Sequence, residues 1–332
     1  MRTVINTARG TAADTLKLID RDPQSPAENE IRVRVSASGV NPSDVKVRSG
    51  AQGPMVADEV IPHNDGAGIV EAIGDAVTRF SIGDRVWLFN VNRSTDGVAQ
   101  GVNGTASDWV NVPENLAAEL PGELGFLEGA CLGVPAMTAH RAVFSGGDVD
   151  GKLLFVSGGA GSVGLLAVQM ASAAGARVVT SVSNDEKAQH ARAAGAEHVI
   201  NYREEDLTEV LLDTYGSHSV DRFVDVDFAA HAEMSTTVLK RNGEIAAYAS
   251  TSDLTPSLPY YPMMFNNSNI QLVFVYGMPS AAKEQAIKDI NRFAEQGKLR
   301  PLVGQRFSLE NIAEAHDTVE AGGFLGNVVI DL

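Results

Sequence analysis

Two hydrophobic rhythms divide this chain. Up to about residue 124, apolar and polar positions alternate in short runs. Glu30-Ile31-Arg32-Val33-Arg34-Val35-Ser36-Ala37-Ser38 places every second side chain on one face, as a half-exposed strand does. Gly68-Ile69-Val70-Glu71-Ala72-Ile73-Gly74 and Gly83-Asp84-Arg85-Val86-Trp87-Leu88 are bounded by glycines that suit β turns, and Ala106 to Val112 closes the region before Pro113. The pattern predicts a small, irregular β domain over 1–124.

Residues 126–143 then turn helical around Cys131. From Leu153 the rhythm is β-α-β-α, with strands predicted at 153–157, 177–182, 197–200, 220–227, 243–249 and 271–276 and helices starting near 162, 185, 205 and 231. Six strands at this spacing predict an α/β doubly wound sheet with helices on both faces. A helix is expected over 280–296. The tail holds a strand at Arg306-Phe307, a helix from Leu309 to Ala321 and a terminal strand at Val328-Val329-Ile330. Its β content matches the first region, so the expected organisation is 1–124, a nucleotide-binding domain over 125–297, and a return to the first domain over 298–332.

The stretch that gives the second rhythm its chemistry is Leu153-Leu154-Phe155-Val156-Ser157-Gly158-Gly159-Ala160-Gly161-Ser162-Val163-Gly164, which satisfies GxGxxG at Gly159, Gly161 and Gly164. Such glycines let the backbone approach a pyrophosphate, and the N–H groups of the first helical turn, from Ser162, Val163 and Gly164, face its charge. In a chain with 32 glycines the cluster can also be a structural turn. The strand Arg177 to Val182, following at βαβ spacing, argues for a dinucleotide.

Composition narrows the partners. The formal charge of −16 without a basic block disfavours nucleic acid and anionic membranes. Cys131 is the single cysteine, so neither an intrachain disulfide nor a cysteine-rich zinc site can form. Met1-Arg2-Thr3-Val4-Ile5-Asn6 lacks the apolar block of a signal peptide and no run approaches a membrane span, which makes a cytoplasmic protein the expectation.

Several ordered stretches resemble one family: Ala37-Ser38-Gly39-Val40-Asn41-Pro42-Ser43-Asp44, Asp65-Gly66-Ala67-Gly68-Ile69-Val70, Gly133-Val134-Pro135-Ala136-Met137-Thr138-Ala139 and Asn201-Tyr202-Arg203-Glu204-Glu205-Asp206. Over essentially its whole length the chain resembles the medium-chain dehydrogenase/reductase superfamily, and within it the zinc-free, zeta-crystallin-like branch of quinone oxidoreductases and enone reductases. The resemblance implies a GroES-like β domain plus a doubly wound Rossmann domain, with substrate in the interdomain cleft. It also implies NADPH as cofactor, a homodimer or tetramer, and a small electrophilic carbonyl or quinone as substrate. Zinc-dependent relatives carry a cysteine where Asn41 stands and His-Glu where Asn64-Asp65 stands. With those ligands and the four-cysteine lobe missing, and His63 one position from the matching site, no zinc is expected.

The cofactor end can be read residue by residue. An NAD enzyme typically ends the second Rossmann strand with an acid that accepts both ribose hydroxyls; the matching position is Val182. Ser181, Ser183 and Asn184 can donate to a 2′-phosphate and Lys187, whose family match contacts that phosphate, can neutralise it; Lys187 can equally be a solvated helix residue. Asp185 and Glu186 weaken the local field, so NADPH is preferred without NADH being excluded. Tyr202 matches a family tyrosine near the adenosine and can otherwise cap a strand. Asn327 precedes the terminal strand where a basic residue often assists the phosphate. Thr138 falls on the nicotinamide side or satisfies a helix backbone. Tyr248 can reach the carboxamide, and Phe274 and Tyr276 wall the cleft from the sixth strand or pack in a core or interface.

Hydride transfer needs positioning and stabilisation of developing negative charge more than a nucleophile. Asn41 can orient substrate and donate to an enolate, or fix its loop; Asp44 suits a capping role. Some relatives have tyrosines where this chain has Lys46 and Gln52, which offer hydrogen bonds but no aromatic platform for a quinone. That departure favours a small enone, enal or related electron-poor alkene, with NADPH:quinone oxidoreduction as the alternative and a nucleotide-binding protein with little catalysis as the different-class reading. Tyr260 to Asn267, aromatic and proline-containing, reads as a specificity loop or an oligomer contact.

Overall fold

The computed structural model describes residues 1–94, 97 and 99–332. In chain order its strands are β1 (Arg2–Asn6), β2 (Leu16–Asp20), β3 (Glu30–Val40), β4 (Asp65–Ile73), β5 (Arg85–Leu88), β6 (Trp109–Pro113), β7 (Ala117–Glu119), β8 (Leu153–Val156), β9 (Arg177–Val182), β10 (His198–Asn201), β11 (Val220–Asp225), β12 (Leu239–Ala247), β13 (Asn269–Leu272), β14 (Val303–Ser308) and β15 (Asn327–Asp331). The chain divides into two compact units, Met1–Pro135 with Tyr276–Leu332, and Ala136–Val275.

The first unit is the GroES-like β domain. Its main sheet runs β14-β15-β3-β4-β5-β7, with β6 also pairing β3, and β1 and β2 form a separate antiparallel pair. The alternation at 30–38 is realised as buried Ile31, Val33, Val35 and Ala37. β15 pairs antiparallel with β3, Val329 opposite Gly39, so the tail completes the sheet begun near the N-terminus.

The second unit is the Rossmann domain. Its six strands are all parallel in the order β10-β9-β8-β11-β12-β13, and the order reverses between β8 and β11. The near-continuous apolar strands follow from burial on both faces, with Phe155 and Phe223 packed ring to ring, centroids 5.2 Å apart, across the central pair.

Three expectations shift. Residues 125–135 and 276–297 lie in the first unit and not in the nucleotide-binding one. The reason is packing: Ala130 and Cys131 bury against Ala37 and Val329, and on the helix Ser280–Glu295, Asn291 accepts from Trp87 Nε1 (3.1 Å) and donates to the Glu119 carbonyl (2.9 Å). The sixth Rossmann strand ends at Leu272, and Tyr276 sits in a 3₁₀ turn, Val275–Gly277. Tyr260–Phe265 is a short helix rather than a loop.

A polar chain crosses the first unit's core, and one carbonyl sets its direction. Thr105 Oγ1 can only donate to the Asp65 carbonyl (2.5 Å), so it accepts from the Ser38 hydroxyl (2.7 Å), which in turn accepts from His63 Nδ1–H (2.8 Å). His63 Nε2 is then bare and accepts from His316 Nε2–H (2.9 Å), leaving the buried His316 Nδ1 without a partner. Burial holds the His63 ring down to about 3, and burial with the charges of His63 and Arg48 holds His316 well below its usual value. Both rings are therefore neutral when folded and take up protons readily only on unfolding. Their stabilising contribution is present above the unfolded value of about 6.5 and is lost as pH falls toward 3, at about 1.4 kcal/mol per pH unit for each proton. In urea unfolding from pH 7 to pH 5, this slope should appear as the difference between the wild type and the His63→Gln/His316→Gln variant, which is without the two rings and lower in absolute stability.

Candidate active site

In the Rossmann unit the glycine turn joins β8 to the helix Ser162–Ala173. Gly158, at φ 68°, begins it; its N–H donates to Ser181 Oγ (3.1 Å), and Gly159 N–H donates to the Ser181 carbonyl (3.0 Å). A Cβ at Gly159 would sit 2.0 Å from Thr180 Oγ1, and one at Gly164 would sit 2.2 Å from the Gly158 carbonyl. At Gly161 the nearest atom would be 3.4 Å away and the backbone is ordinary, φ −80°. Two glycines are thus demanded by the turn itself; the third is not. The N-cap residue, Gly161, has no side chain, and the first turn of the helix carries Ser162, Val163 and Gly164, whose end is the positive one of the helix dipole. These features fit a dinucleotide pyrophosphate.

At the carboxyl end of β9, Lys187 Nζ donates to Ser183 Oγ (3.2 Å), and Asn184 Oδ1 caps the helix Asp185–Ala193 by accepting from Lys187 N–H (2.9 Å). Ser181 Oγ and Asn184 Oδ1 thus accept from backbone N–H groups, and Ser183 and Lys187 pair beside them. Tyr202 is half-exposed beside them, its N–H bound to the Val182 carbonyl (3.1 Å).

The switch point between β8 and β11 carries residues the sequence reading did not single out. Asp225 Oδ1 accepts from Ser157 Oγ (2.8 Å), from Asp227 N–H (3.0 Å) and from His231 Nδ1 (2.7 Å). The available signal was position: Asp225 ends the fourth strand, opposite the glycine turn. Tyr248 N–H donates to the Asp225 carbonyl (3.0 Å), and burial with the Asp225 charge pushes the Tyr248 hydroxyl well up, keeping it a donor. Thr138 is buried on the helix Met137–Phe144, and Phe274 is half-exposed.

In the GroES-like unit, Asn41 precedes the helix Pro42–Ser49. Its backbone N–H donates to Asp44 Oδ2 (2.8 Å) and its Nδ2 to Asp65 Oδ2 (2.8 Å), so the free end of the carboxamide is the oxygen. Asp44 Oδ1 accepts from Asn64 Nδ2 (2.9 Å); burial raises the Asp44 carboxyl to about 6 despite these bonds. The Tyr276 hydroxyl meets Ser43 Oγ at 2.6 Å, under the Arg93 guanidinium 3.7 Å from its ring centre. Tyr276 thus belongs to this cluster. Lys46 and Gln52 are exposed, and Asn327 is buried on β15 with Nδ2 bound to the Leu302 carbonyl (3.0 Å), so its amide serves the sheet.

Residues 27–122 match the alcohol dehydrogenase GroES-like domain and 162–292 the zinc-binding dehydrogenase family. Quinone oxidoreductase 1 of Escherichia coli K12 is 33% identical over 76% of this chain and 74% of its own length. The chain belongs to the quinone oxidoreductase branch of the medium-chain dehydrogenase/reductase superfamily. As a member of that branch it is an NAD(P)H-dependent oxidoreductase. The guanaco (Lama guanicoe) quinone oxidoreductase is 28% identical over 92% and 89% of the two chains, and the tomato (Solanum lycopersicum) 2-methylene-furan-3-one reductase 27% over 91% and 72%. Among solved structures, an NAD-dependent alcohol dehydrogenase superposes with a TM-score of 0.88 at 29% identity, covering 100% of both chains. E. coli quinone oxidoreductase complexed with NADPH gives 0.85 at 26%, again covering 100% of both.

The turn geometry separates folding from binding in this branch member. Gly161→Ala should fold with an unchanged melting temperature yet weaken dinucleotide binding by about tenfold or more, because its methyl group projects where the backbone must approach a pyrophosphate. Calorimetric titration alongside thermal melting checks this.

Proposed function

We propose that the protein is a metal-independent, NADPH-dependent reductase that passes hydride to the activated carbon–carbon double bond of a small enone, enal or related electron-poor alkene. The observation that carries the cofactor choice is the Ser183–Lys187 pair at the end of β9, where Val182 replaces the acid that would repel a 2′-phosphate. When bound, the nicotinamide supplies the hydride. The glycine turn and the helix N-terminus would hold the pyrophosphate, and Lys187 with Ser183 would hold the phosphate. Tyr202 adds its ring at the adenosine end, and Thr138 and Tyr248 are assigned to the nicotinamide half.

Metal independence rests on the donor set. Asn41 and Asn64 each give an Nδ2 hydrogen to a carboxyl, both nitrogens of His63 are hydrogen-bonded, and among the described residues no group of three His, Cys, Asp or Glu is spaced to hold a metal. The alkene preference rests on exposed Lys46 and Gln52 standing where some relatives have tyrosines. Quinone oxidoreduction is the second reading, favoured by the names of the mammalian and bacterial relatives. Enones and quinones share a carbonyl conjugated to an alkene, so one panel tests both. With NADPH and excess chelator, mass analysis should find enones gaining two hydrogens across the alkene and saturated ketones unchanged. Hydroquinone alone would select the second reading, and no product from either class would remove both.

A homodimer is proposed with it, acting in the cytoplasm. β13 is the outer strand of the Rossmann sheet, and beside its free edge Leu272 is 76% and Phe265 69% exposed, with Tyr260 and Tyr261 also exposed. A second copy paired along β13 covers these side chains. Leu272→Asp/Phe265→Asp should run as a monomer in sedimentation while keeping the wild-type circular dichroism. A wild type that sediments as a monomer would defeat the assignment.

A further inference from the structure

Asp65 is completely buried and its two oxygens are treated differently. Oδ2 accepts from Asn41 Nδ2 and from Val134 N–H, each at 2.8 Å; among the described residues Oδ1 has no hydrogen-bond partner. Gly133 is what makes room for it, since a Cβ there would lie 2.1 Å from Oδ1. A buried ionised carboxylate with one bare oxygen is costly, whereas an acid with its carbonyl at Oδ2 and its hydroxyl at Oδ1 matches this asymmetry. A second orphan acceptor, Asn64 Oδ1, lies on the adjacent residue.

The surroundings work in the same direction. Asp44, on the helix Pro42–Ser49, is the nearby acid, and its charge opposes ionisation of Asp65. Arg93 acts on Asp44 and on Tyr276; Cys131 and Tyr276 feel Asp65 as a further negative charge, and His63 is neutral. Burial first, and Asp44 second, hold the Asp65 carboxyl well above its ordinary range against the two N–H donors.

We propose that Asp65 is a neutral carboxylic acid in the working enzyme and the positioning residue that turns the Asn41 carboxamide oxygen-outward. Asn41 then meets an incoming group as an acceptor, so it orients a hydroxyl or N–H donor of cofactor or substrate; it is not the donor to a developing enolate. Gly133 and Asp65 are one device, the glycine supplying the space the acid's hydroxyl occupies.

The kinetic arm rests on the proposed reductase activity; an infrared arm does not. Asp65→Leu, which cannot hold Asn41 Nδ2, should lower kcat/KM for NADPH-dependent turnover of an enone or quinone on the order of a hundredfold, the cost of a misplaced orienting group. Asp65→Asn, which keeps an acceptor toward Asn41 and Val134 and places an N–H₂ where the acid hydroxyl was, should restore most of that loss. Ionisation of Asp65 as pH rises should cost the wild type both activity and stability, because a group whose folded pKa is raised loses its contribution through that value. Asp65→Asn should show neither slope. In the infrared, the wild type at neutral pH should display a protonated-carboxyl carbonyl band that Asp65→Asn lacks. Absence of that band, or Asp65→Asn as impaired as Asp65→Leu, would overturn the proposal. A wild type that turns over no acceptor defeats the reductase assignment and leaves the infrared band to decide this one.

Discussion

The second unit is built around a turn with no room for side chains. Where β8 gives way to its helix, Gly159 lies against Thr180 of β9 and Gly164 against the Gly158 carbonyl. Those contacts pull strand, turn and helix so close that the helix N-terminus opens directly over the carboxyl edge of the sheet. Because the strand order reverses next to β8, the neighbouring strand end belongs to β11, and Ser157 can bond Asp225 across the gap. A nucleotide site follows from sheet order plus steric exclusion. Charge is secondary: a chain with a net −16 needs only helix N–H groups and the Ser183–Lys187 pair to offer an anion a local welcome.

The first unit solves a different problem, that of burying polar groups without leaving them unpaired. Asp44 and Asp65 are both inside, and each takes a hydrogen from Asn41. Two carboxylates sharing one buried environment cannot both ionise cheaply. Burial raises both, the Asp44 charge raises Asp65 further, and Asn41, held from two sides, loses the freedom a loop asparagine normally has. Rigidity at the end of β3 thus comes from polar atoms as well as from the apolar packing of Val40 and Val45.

Much of this was legible in the chain. Alternation at 30–38 and the apolar runs from Leu153 onward report burial on one face and on two faces respectively, so strand type and fold class could be read from them. The glycine spacing marked its own turn. Element edges were harder: β12 begins at Leu239 through a polar Lys-Arg-Asn-Gly run that carries no strand pattern, and β13 ends at Leu272 although Val273 to Tyr276 continues the apolar run. Side-chain commitments were not legible at all. Asn327 has the right chemistry for a phosphate, but its Nδ2 is given to the Leu302 carbonyl, 25 positions away in the chain, while Ser181 Oγ and Asn184 Oδ1 accept from the N–H groups of Gly158 and Lys187. Asp65 and His63 were visible only as departures from a zinc site. Their importance lies in which atoms face them.

The polar chain from His316 to the Asp65 carbonyl shows how far one such fact reaches. A carbonyl oxygen cannot donate, so the Thr105 hydroxyl must, and the direction of every later bond follows until His316 Nδ1 is left bare. His63 adopts φ 77° in this arrangement, a backbone conformation that few residues without glycine's freedom accept. The strain is tolerable because both ring nitrogens gain buried partners. The same Asp65 that receives this chain at its backbone holds Asn41 with its side chain, so core polarity and site geometry meet in one residue. Asn41, Asp44, Asn64 and Asp65 are tied to one another by hydrogen bonds, so with Asp65 proposed as a neutral acid, its protonation state governs how Asn41 is held.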